Sequence, residues 1–175
     1  RYDGQYGELP AGYDHKYVYS HFGYNLKATE MQAAIGCEQL KKVEAFGVAR
    51  RKNWKYIYDG LSELSDRLIL PRAEDNSDPS WFGFFIVCRE NVNRNELVQF
   101  LENHKVQTRM LFSGNMIKHP CFDELRKTGE GYRVVGELKN TDYIMNNAFW
   151  IGVYPGMTEK KLDYMIKVIK EGVRG

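Results

Sequence analysis

A polar turn at residues 20–28 runs directly into a predicted helix start, and its residue types are suited to anion binding. Asn25 and Lys27 lie just ahead of Thr29, and the Thr29-x-x-Gln32 spacing is that of a capping box, in which each side chain binds a main-chain N–H of the other residue. The amide and the amine therefore lie beside the positive end of a helix dipole. The pattern indicates a candidate phosphate site, with a capped helix next to solvated polar residues as the alternative.

Arg109 is a second candidate for anion binding. It lies on the predicted strand 106–112, near the donor-rich loop Ser113-Gly114-Asn115. A structural salt bridge is the alternative for this arginine. His21 is a further candidate because it lies in the polar turn, and a purely structural hydrogen bond is the alternative there.

The three cysteines, Cys37, Cys88 and Cys121, are widely separated and odd in number, which fits neither a disulfide framework nor a metal site. We expect them to be small buried side chains. The sequence also contains no Ser/His/Asp order and no P-loop. Residues alone therefore predict a globular fragment with a possible phosphate site and no metal site.

The composition, 43% hydrophobic and 27% charged, is that of an ordinary globular protein. The net charge of +2, with mixed acidic and basic residues, argues against a nucleic acid partner. No apolar run approaches the roughly 20 residues that span a bilayer, and the first residues have no apolar signal region. We therefore predict a cytoplasmic protein without membrane association.

The elements that must position these groups fall into three predicted parts. Residues 1–28 are rich in Gly and Tyr without periodicity, which predicts an irregular segment packed against something else. Residues 29–65 predict a long helix that ends near Leu64, with any kink near Gly47. Residues 66–175 predict a small α+β domain, in which strands and helices alternate.

Within the third part, Asn93, Thr141 and Thr158 are each expected to cap a helix. The aromatic strand at 81–88 has apolar side chains on both faces, so we expect it in the centre of the sheet. The other predicted strands are 68–70, 106–112 and 148–154.

The polar turn also resembles a known signature. Residues 19–27, followed by 32–36 and 39–40, are similar to the G-Y-N-x-R/K…Q-A-A…Q-L pattern of the DegT-like sugar aminotransferase family. These are fold type I pyridoxal-phosphate enzymes that act on nucleotide-linked keto sugars. The resemblance implies an α/β fold of that type, of which this chain is the C-terminal part: a linking helix and a small α+β domain with a mainly antiparallel sheet.

A closer resemblance is to the branch of that family that contains iron–sulfur 3-dehydrases of CDP-linked 4-keto-6-deoxyhexoses. It implies removal of the C3 hydroxyl with pyridoxamine phosphate, on the way to 3,6-dideoxy sugars of lipopolysaccharide. The motifs that carry it extend over nearly the whole chain: residues 13–17, 78–84, 108–115, 132–138, 140–142 and 149–156.

In that branch a catalytic His and four cysteines that hold a 2Fe-2S cluster lie upstream, so the resemblance implies no catalytic residue and no metal ligand on this chain. It also implies electron delivery by a flavin/iron–sulfur reductase. Relatives are homodimers with the cofactor at the subunit interface. The cofactor is pyridoxal phosphate or pyridoxamine phosphate. Asn25 matches the family Asn that donates to the cofactor phosphate across the subunit interface.

The resemblance assigns substrate binding to two groups of residues. Lys27 matches a position that is often Arg, with His21 and Tyr24 in the same turn; Arg109, Ser113 and Asn115 align with the loop where relatives meet the sugar. This loop lacks the relatives' usual Tyr-Pro and His. Two alternatives stay open: a transaminating member of the family with an upstream Lys, and a non-catalytic nucleotide-sugar-binding or interaction module.

Overall fold

The computed structural model describes residues 23, 24 and 26–175, and the chain separates into two compact units, Arg1–Lys41 and Lys42–Gly175. The first unit contains helix α1 (Glu30–Leu40). The Thr29 hydroxyl accepts from the Gln32 N–H at 3.3 Å, and the Gln32 amide oxygen accepts from the Thr29 N–H at 2.9 Å. The predicted capping box is confirmed. Every residue of α1 is exposed.

The second unit alternates helices and strands, as predicted. Turns of 3-10 helix occur at Ser62–Leu64, Met116–Lys118 and Pro120–Phe122. Its elements are α2 (Val43–Leu61), β1 (Leu68–Ile69), β2 (Gly83–Cys88), α3 (Arg94–Asn103), β3 (Thr108–Arg109), α4 (Asp123–Thr128), α5 (Lys139–Asn147), β4 (Ala148–Gly152) and α6 (Glu159–Arg174).

The strands form one antiparallel sheet in the order β1-β2-β4-β3, so the aromatic strand β2 is central, as expected. Phe84 pairs with Ile151 and Ile86 with Phe149. These four side chains are fully buried, because strand residues two apart share a face and this face packs against α2, α3 and α6. The helices contribute Ile57, Leu61, Leu97, Leu101, Leu162 and Ile169.

The opposite face of the sheet carries Phe85 and Trp150, which are only partly buried. Helix α5 contacts β2 and β4, and the Tyr143 hydroxyl donates to the Cys88 carbonyl at 3.1 Å. This second face therefore presents aromatic rings next to the loop that follows β3. None of the helices in the described part of the chain is long and apolar enough to cross a bilayer.

Three predictions about helices and strands differ most from the structure. Helix α1 ends at Leu40 and α2 begins at Val43, so the interruption lies before Gly47. A single glycine weakens a helix by about 1 kcal/mol without ending it, and Gly47 leaves room for the Arg51 guanidinium, which would lie 3.4 Å from an added Cβ. Strand β3 is also shorter than predicted.

The third difference concerns Thr141, which lies inside the first turn of α5 and does not cap it. The helix follows Leu138, a left-handed residue with φ 53°, and the Asp142 N–H donates to the Leu138 carbonyl. The Asp142 carboxylate, in the first turn of α5, also accepts from the Asn115 side chain at 2.7 Å.

The expectation of buried cysteines is correct for Cys88 and wrong for Cys37 and Cys121, which are exposed. Burial raises the pKa of the Cys88 thiol to about 11. The described residues contain no cluster of three or more His, Cys, Asp or Glu side chains that could hold a metal ion.

Candidate functional site

The polar turn is described in part. His21 and Asn25 lie outside the described residues, so their predicted roles stay predictions. Tyr24 is 91% exposed and Lys27 is exposed as well. Both belong to the first unit of the chain.

The start of α1 offers some of the hydrogen-bond donors that a phosphate needs, but too few to bind it alone. The capping box occupies the N–H groups of Thr29 and Gln32, and a helix start leaves its first amides, here those of Glu30 and Met31, without helical partners. Lys27 adds an ammonium two residues before the cap, whereas the Glu30 carboxylate disfavours an anion there. A cofactor phosphate carries almost two negative charges, so further donors must come from outside this segment.

In the second unit, the loop from Arg109 to Asn115 is fastened at its end. Asn115 is 2% exposed; its side-chain amide donates to Asp142 at 2.7 Å, and its main-chain N–H approaches the Met145 sulfur at 3.3 Å. Ser113 is exposed, and its carbonyl accepts from the His119 ring at 2.6 Å. The loop therefore presents Ser113 to solvent, while Asn115 holds the loop in place.

The tip of this loop contains two left-handed residues. Gly114 has φ 58°, and a Cβ there would lie 2.6 Å from the Met145 side chain. Phe112 has φ 43° and is 76% exposed. Left-handed backbone is unfavourable for a bulky residue and often occurs at functional sites, so an exposed aromatic in this conformation marks the tip as a candidate contact surface.

Trp150 supports the other end of the loop and was missed by sequence reasoning. Its indole N–H donates to the Met110 carbonyl at 3.1 Å, and its ring lies over Gly83, where an added Cβ would be 2.8 Å from the indole. Phe82 packs edge-on at 5.1 Å. The available signal was a glycine within an aromatic strand, which marks close approach of another group. Together with Phe112, these rings line an apolar groove of about 350 Å³.

Arg109 lies at the edge of the sheet with its guanidinium held by neutral groups. It donates to the Thr108 carbonyl at 2.8 Å, and the Gln107 amide oxygen accepts from it at 3.0 and 3.2 Å when that amide is turned to its favourable orientation. No carboxylate of the described residues pairs with Arg109 within 4 Å. The structural salt bridge considered as an alternative is therefore absent from the described part of the chain.

Two carboxylates fix the elements around this site. Hydrogen bonds from Lys118 and Asn115 lower the pKa of Asp142. Hydrogen bonds from the main chain and the hydroxyl of Thr108, at 2.5 and 2.7 Å, lower the pKa of Glu102. Both groups are therefore ionised at neutral pH and connect α5 and α3 to the segment that carries Arg109 and Ser113.

Both the sequence and the fold match a known class of protein. Residues 6–170 match the DegT/DnrJ/EryC1/StrS aminotransferase family, and the chain belongs to it. The structure is similar to Escherichia coli GDP-4-keto-6-deoxy-D-mannose 3-dehydratase with bound hydrated PLP, with a TM-score of 0.78 and 28% identity over 92% of this chain and 40% of that one. The predicted fold class is confirmed.

Two curated relatives are more similar in sequence. The Salmonella typhimurium lipopolysaccharide biosynthesis protein RfbH is 53% identical over 98% of this chain and 38% of its own length. The Saccharopolyspora spinosa dTDP-4-dehydro-2,6-dideoxy-D-glucose 3-dehydratase is 48% identical over 99% and 37%. By contrast, the Shigella dysenteriae dTDP-4-amino-4,6-dideoxy-D-glucose transaminase is 23% identical over 85% and 39%. This chain spans less than two fifths of the length of RfbH and of the Saccharopolyspora spinosa 3-dehydratase.

Proposed function

We propose that this chain is the C-terminal portion of a pyridoxamine-phosphate-dependent dehydrase that removes the C3 hydroxyl of a CDP-linked 4-keto-6-deoxyhexose in 3,6-dideoxy sugar biosynthesis. The observation that carries the proposal is the difference in identity: 48% to a named sugar 3-dehydratase against 23% to a named sugar transaminase, over similar shares of the relatives. Removal of a hydroxyl is thus favoured over transfer of an amine.

The bound cofactor would supply an electron sink for breaking the bond between C3 and its oxygen. In the proposal, the catalytic His and the cysteines of a 2Fe-2S cluster lie upstream, and a flavin/iron–sulfur reductase delivers electrons. The enzyme is proposed to be a cytoplasmic homodimer. Asn25 donates to the cofactor phosphate of the neighbouring subunit, so that dimerisation completes the site.

The part of the substrate site that this chain contributes is proposed to have two components. Lys27, with His21 and Tyr24 in the same turn, faces the charged groups of the nucleotide-linked sugar. Arg109, at the end of β3, and Ser113, in the loop that follows, bind the substrate. The buried Asn115 amide, hydrogen bonded to Asp142, contributes by holding that loop.

The test uses the full-length protein. We expect it to dehydrate a CDP-4-keto-6-deoxyhexose at C3 in the presence of pyridoxamine phosphate and to show iron–sulfur absorption, and we expect the 175-residue chain alone to do neither. A product that carries a new amino group, together with an upstream Lys in place of His, would replace the proposal with a sugar aminotransferase. Tight binding of the CDP-sugar by the isolated chain, without any turnover by the full protein, would favour a binding module.

Asn25→Ala in the full-length protein tests the cofactor assignment. We expect weaker retention of pyridoxamine phosphate on dialysis, because the phosphate loses a fixed donor. Asn140→Ala is a suitable control, since Asn140 is an exposed amide in the second unit. Unchanged cofactor affinity in Asn25→Ala would contradict the assigned role.

A further inference from the structure

A second, larger groove of about 810 Å³ lies at the sheet edge beside β3, within the size range of small-molecule sites. Its walls come from the segment after α3, from β3 and β4, and from the first half of α6. Four of its lining residues are cationic: Lys105, Arg109, Lys160 and Lys161. None of its lining residues is acidic.

The carboxylates of the described residues offset the positive charge of this groove only in part: Glu102 lies near enough to Arg109 for the charge of the arginine to contribute to lowering the pKa of Glu102. None of the four cations forms an ion pair within 4 Å there, although other lysines of the same helix, such as Lys167, do. The acids on neighbouring elements have other partners: Glu102 accepts from Thr108, Glu159 pairs with Lys52, and Asp163 accepts from the Tyr56 hydroxyl. A concave wall whose lining includes four cationic side chains and no acidic one attracts an anion.

The same groove contains aromatic rings whose polar tips are already bonded. The Tyr164 hydroxyl donates to the His104 carbonyl at 2.9 Å, and the Lys161 ammonium donates to the Tyr154 hydroxyl at 3.2 Å. These hydrogen bonds fix the rings, yet Tyr154 and Tyr164 remain 46% and 47% exposed. Fixed ring faces next to cations suit a ligand that has both a planar base and phosphates.

Trp150 links this basic groove to the apolar groove beside Phe112, because it lines both. A ligand with an anionic, base-carrying half and an uncharged sugar half can therefore lie across the indole. Arg109 is at the junction on the basic side, where its guanidinium is held in place by Thr108 and Gln107.

We propose that the basic groove binds the nucleoside diphosphate half of the nucleotide-linked sugar, with Arg109 and the three lysines at the diphosphate and the tyrosine rings at the base. The choice of a nucleotide rests on the function proposed above. The sugar half then points toward Phe112 and Ser113.

The most informative substitution is Lys105→Gly in the full-length protein. Lys105 has φ 63°, a left-handed conformation that glycine adopts without cost, so the variant loses a cation without losing backbone fit. Lys160→Gln with Lys161→Gln removes the cations on α6. Lys167→Gln is the matched control, because Lys167 is on the same helix, does not line the groove, and pairs with Glu171.

Binding is measured by calorimetry with CDP, cytidine and inorganic pyrophosphate. We expect CDP affinity to fall about fivefold in Lys105→Gly and at least tenfold in the α6 double variant, to change less than twofold in Lys167→Gln, and to weaken with added salt. Equal CDP affinity in the groove variants and the control overturns the proposal. Pyrophosphate binding as tight as CDP overturns the assignment of the base to the tyrosines.

This experiment separates the two proposals, because CDP binding requires no turnover. If the groove variants lose CDP affinity but the full-length protein has no dehydrase activity, the proposed binding site stands and the proposed reaction is wrong. Dehydration with an unchanged KM for the CDP-sugar in those variants would retain the reaction and reject this site.

Discussion

In the loop after β3, the backbone conformation and burial of single residues depend on contacts with α5. Phe112 and Gly114 are both left-handed, and the space beside the Gly114 Cα is filled by Met145. Asn115 is buried because Asp142 and Met145 satisfy its donors. Single side chains of α5 therefore fix the geometry of a segment that lies some 30 residues earlier in the sequence.

Gly114→Ala tests this fit. The added methyl would meet both a left-handed backbone and the Met145 side chain, so we expect the free energy of unfolding to fall by about 2–3 kcal/mol, measured by urea denaturation. Gly129→Ala is the control, since Gly129 is also left-handed but has no atom within 4 Å of an added Cβ. Its expected loss is about 1 kcal/mol. Equal losses in the two variants would show that the Met145 side chain moves aside without lowering the free energy of unfolding.

At the level of elements, strand β3 owes its position to a side chain from α3. It forms only two residue pairs with β4, too few to define a strand by themselves. The Glu102 carboxylate binds both the N–H and the hydroxyl of Thr108 and so attaches the strand to the helix. This attachment places Arg109 at the edge of the basic groove.

The attachment predicts a pH dependence. Because its hydrogen bonds lower the pKa of Glu102 in the folded state, they stabilise the fold above the ordinary value of 4.5 and this stabilisation is lost as the pH falls through the lower folded-state pKa. We expect the difference in unfolding free energy between the unsubstituted protein and Glu102→Gln to shrink below pH 4.5. Urea titrations from pH 7 to pH 3 measure it.

Glu90→Gln provides the control for this titration, because Glu90 is exposed and makes no side-chain hydrogen bond within the described part of the chain. Its stability curve should run parallel to that of the unsubstituted protein. If the curve for Glu102→Gln is parallel as well, the negative charge of Glu102 does not strengthen its hydrogen bonds to Thr108.

At the level of the whole molecule, the two units differ in how they are buried. The second unit encloses a continuous core between one sheet face and three helices. Helix α1 of the first unit has no buried residue, and its apolar side chains are largely exposed, including Met31 at 79% and Ile35 at 64%. Apolar surface of this extent is typical of an interface.

We therefore expect the 175-residue chain to self-associate in solution. Met31→Gln with Ile35→Glu should shift its sedimentation toward monomer, since the substitutions remove apolar surface from one face of α1. Lys41→Gln, just beyond α1, serves as the control and should leave association unchanged. Association that persists in the double variant would place the interface elsewhere.

The sequence by itself determined the features that depend on near neighbours. The helix caps at Thr29, Asn93 and Thr158 and the central aromatic strand follow from residues within a few positions of one another. The family signature is likewise a property of the sequence, spread over residues 19–40. Capping and strand alternation are local interactions, so spacing alone reports them.

Only the tertiary structure decided the rest. The pairing of Asn115 with Asp142 and the packing of Trp150 against Gly83 join residues that are far apart in the chain. The basic groove likewise brings Lys105 and Arg109 together with lysines of α6. Such sites depend on how the sheet and helices pack, and a spacing pattern along the chain carries no record of that packing.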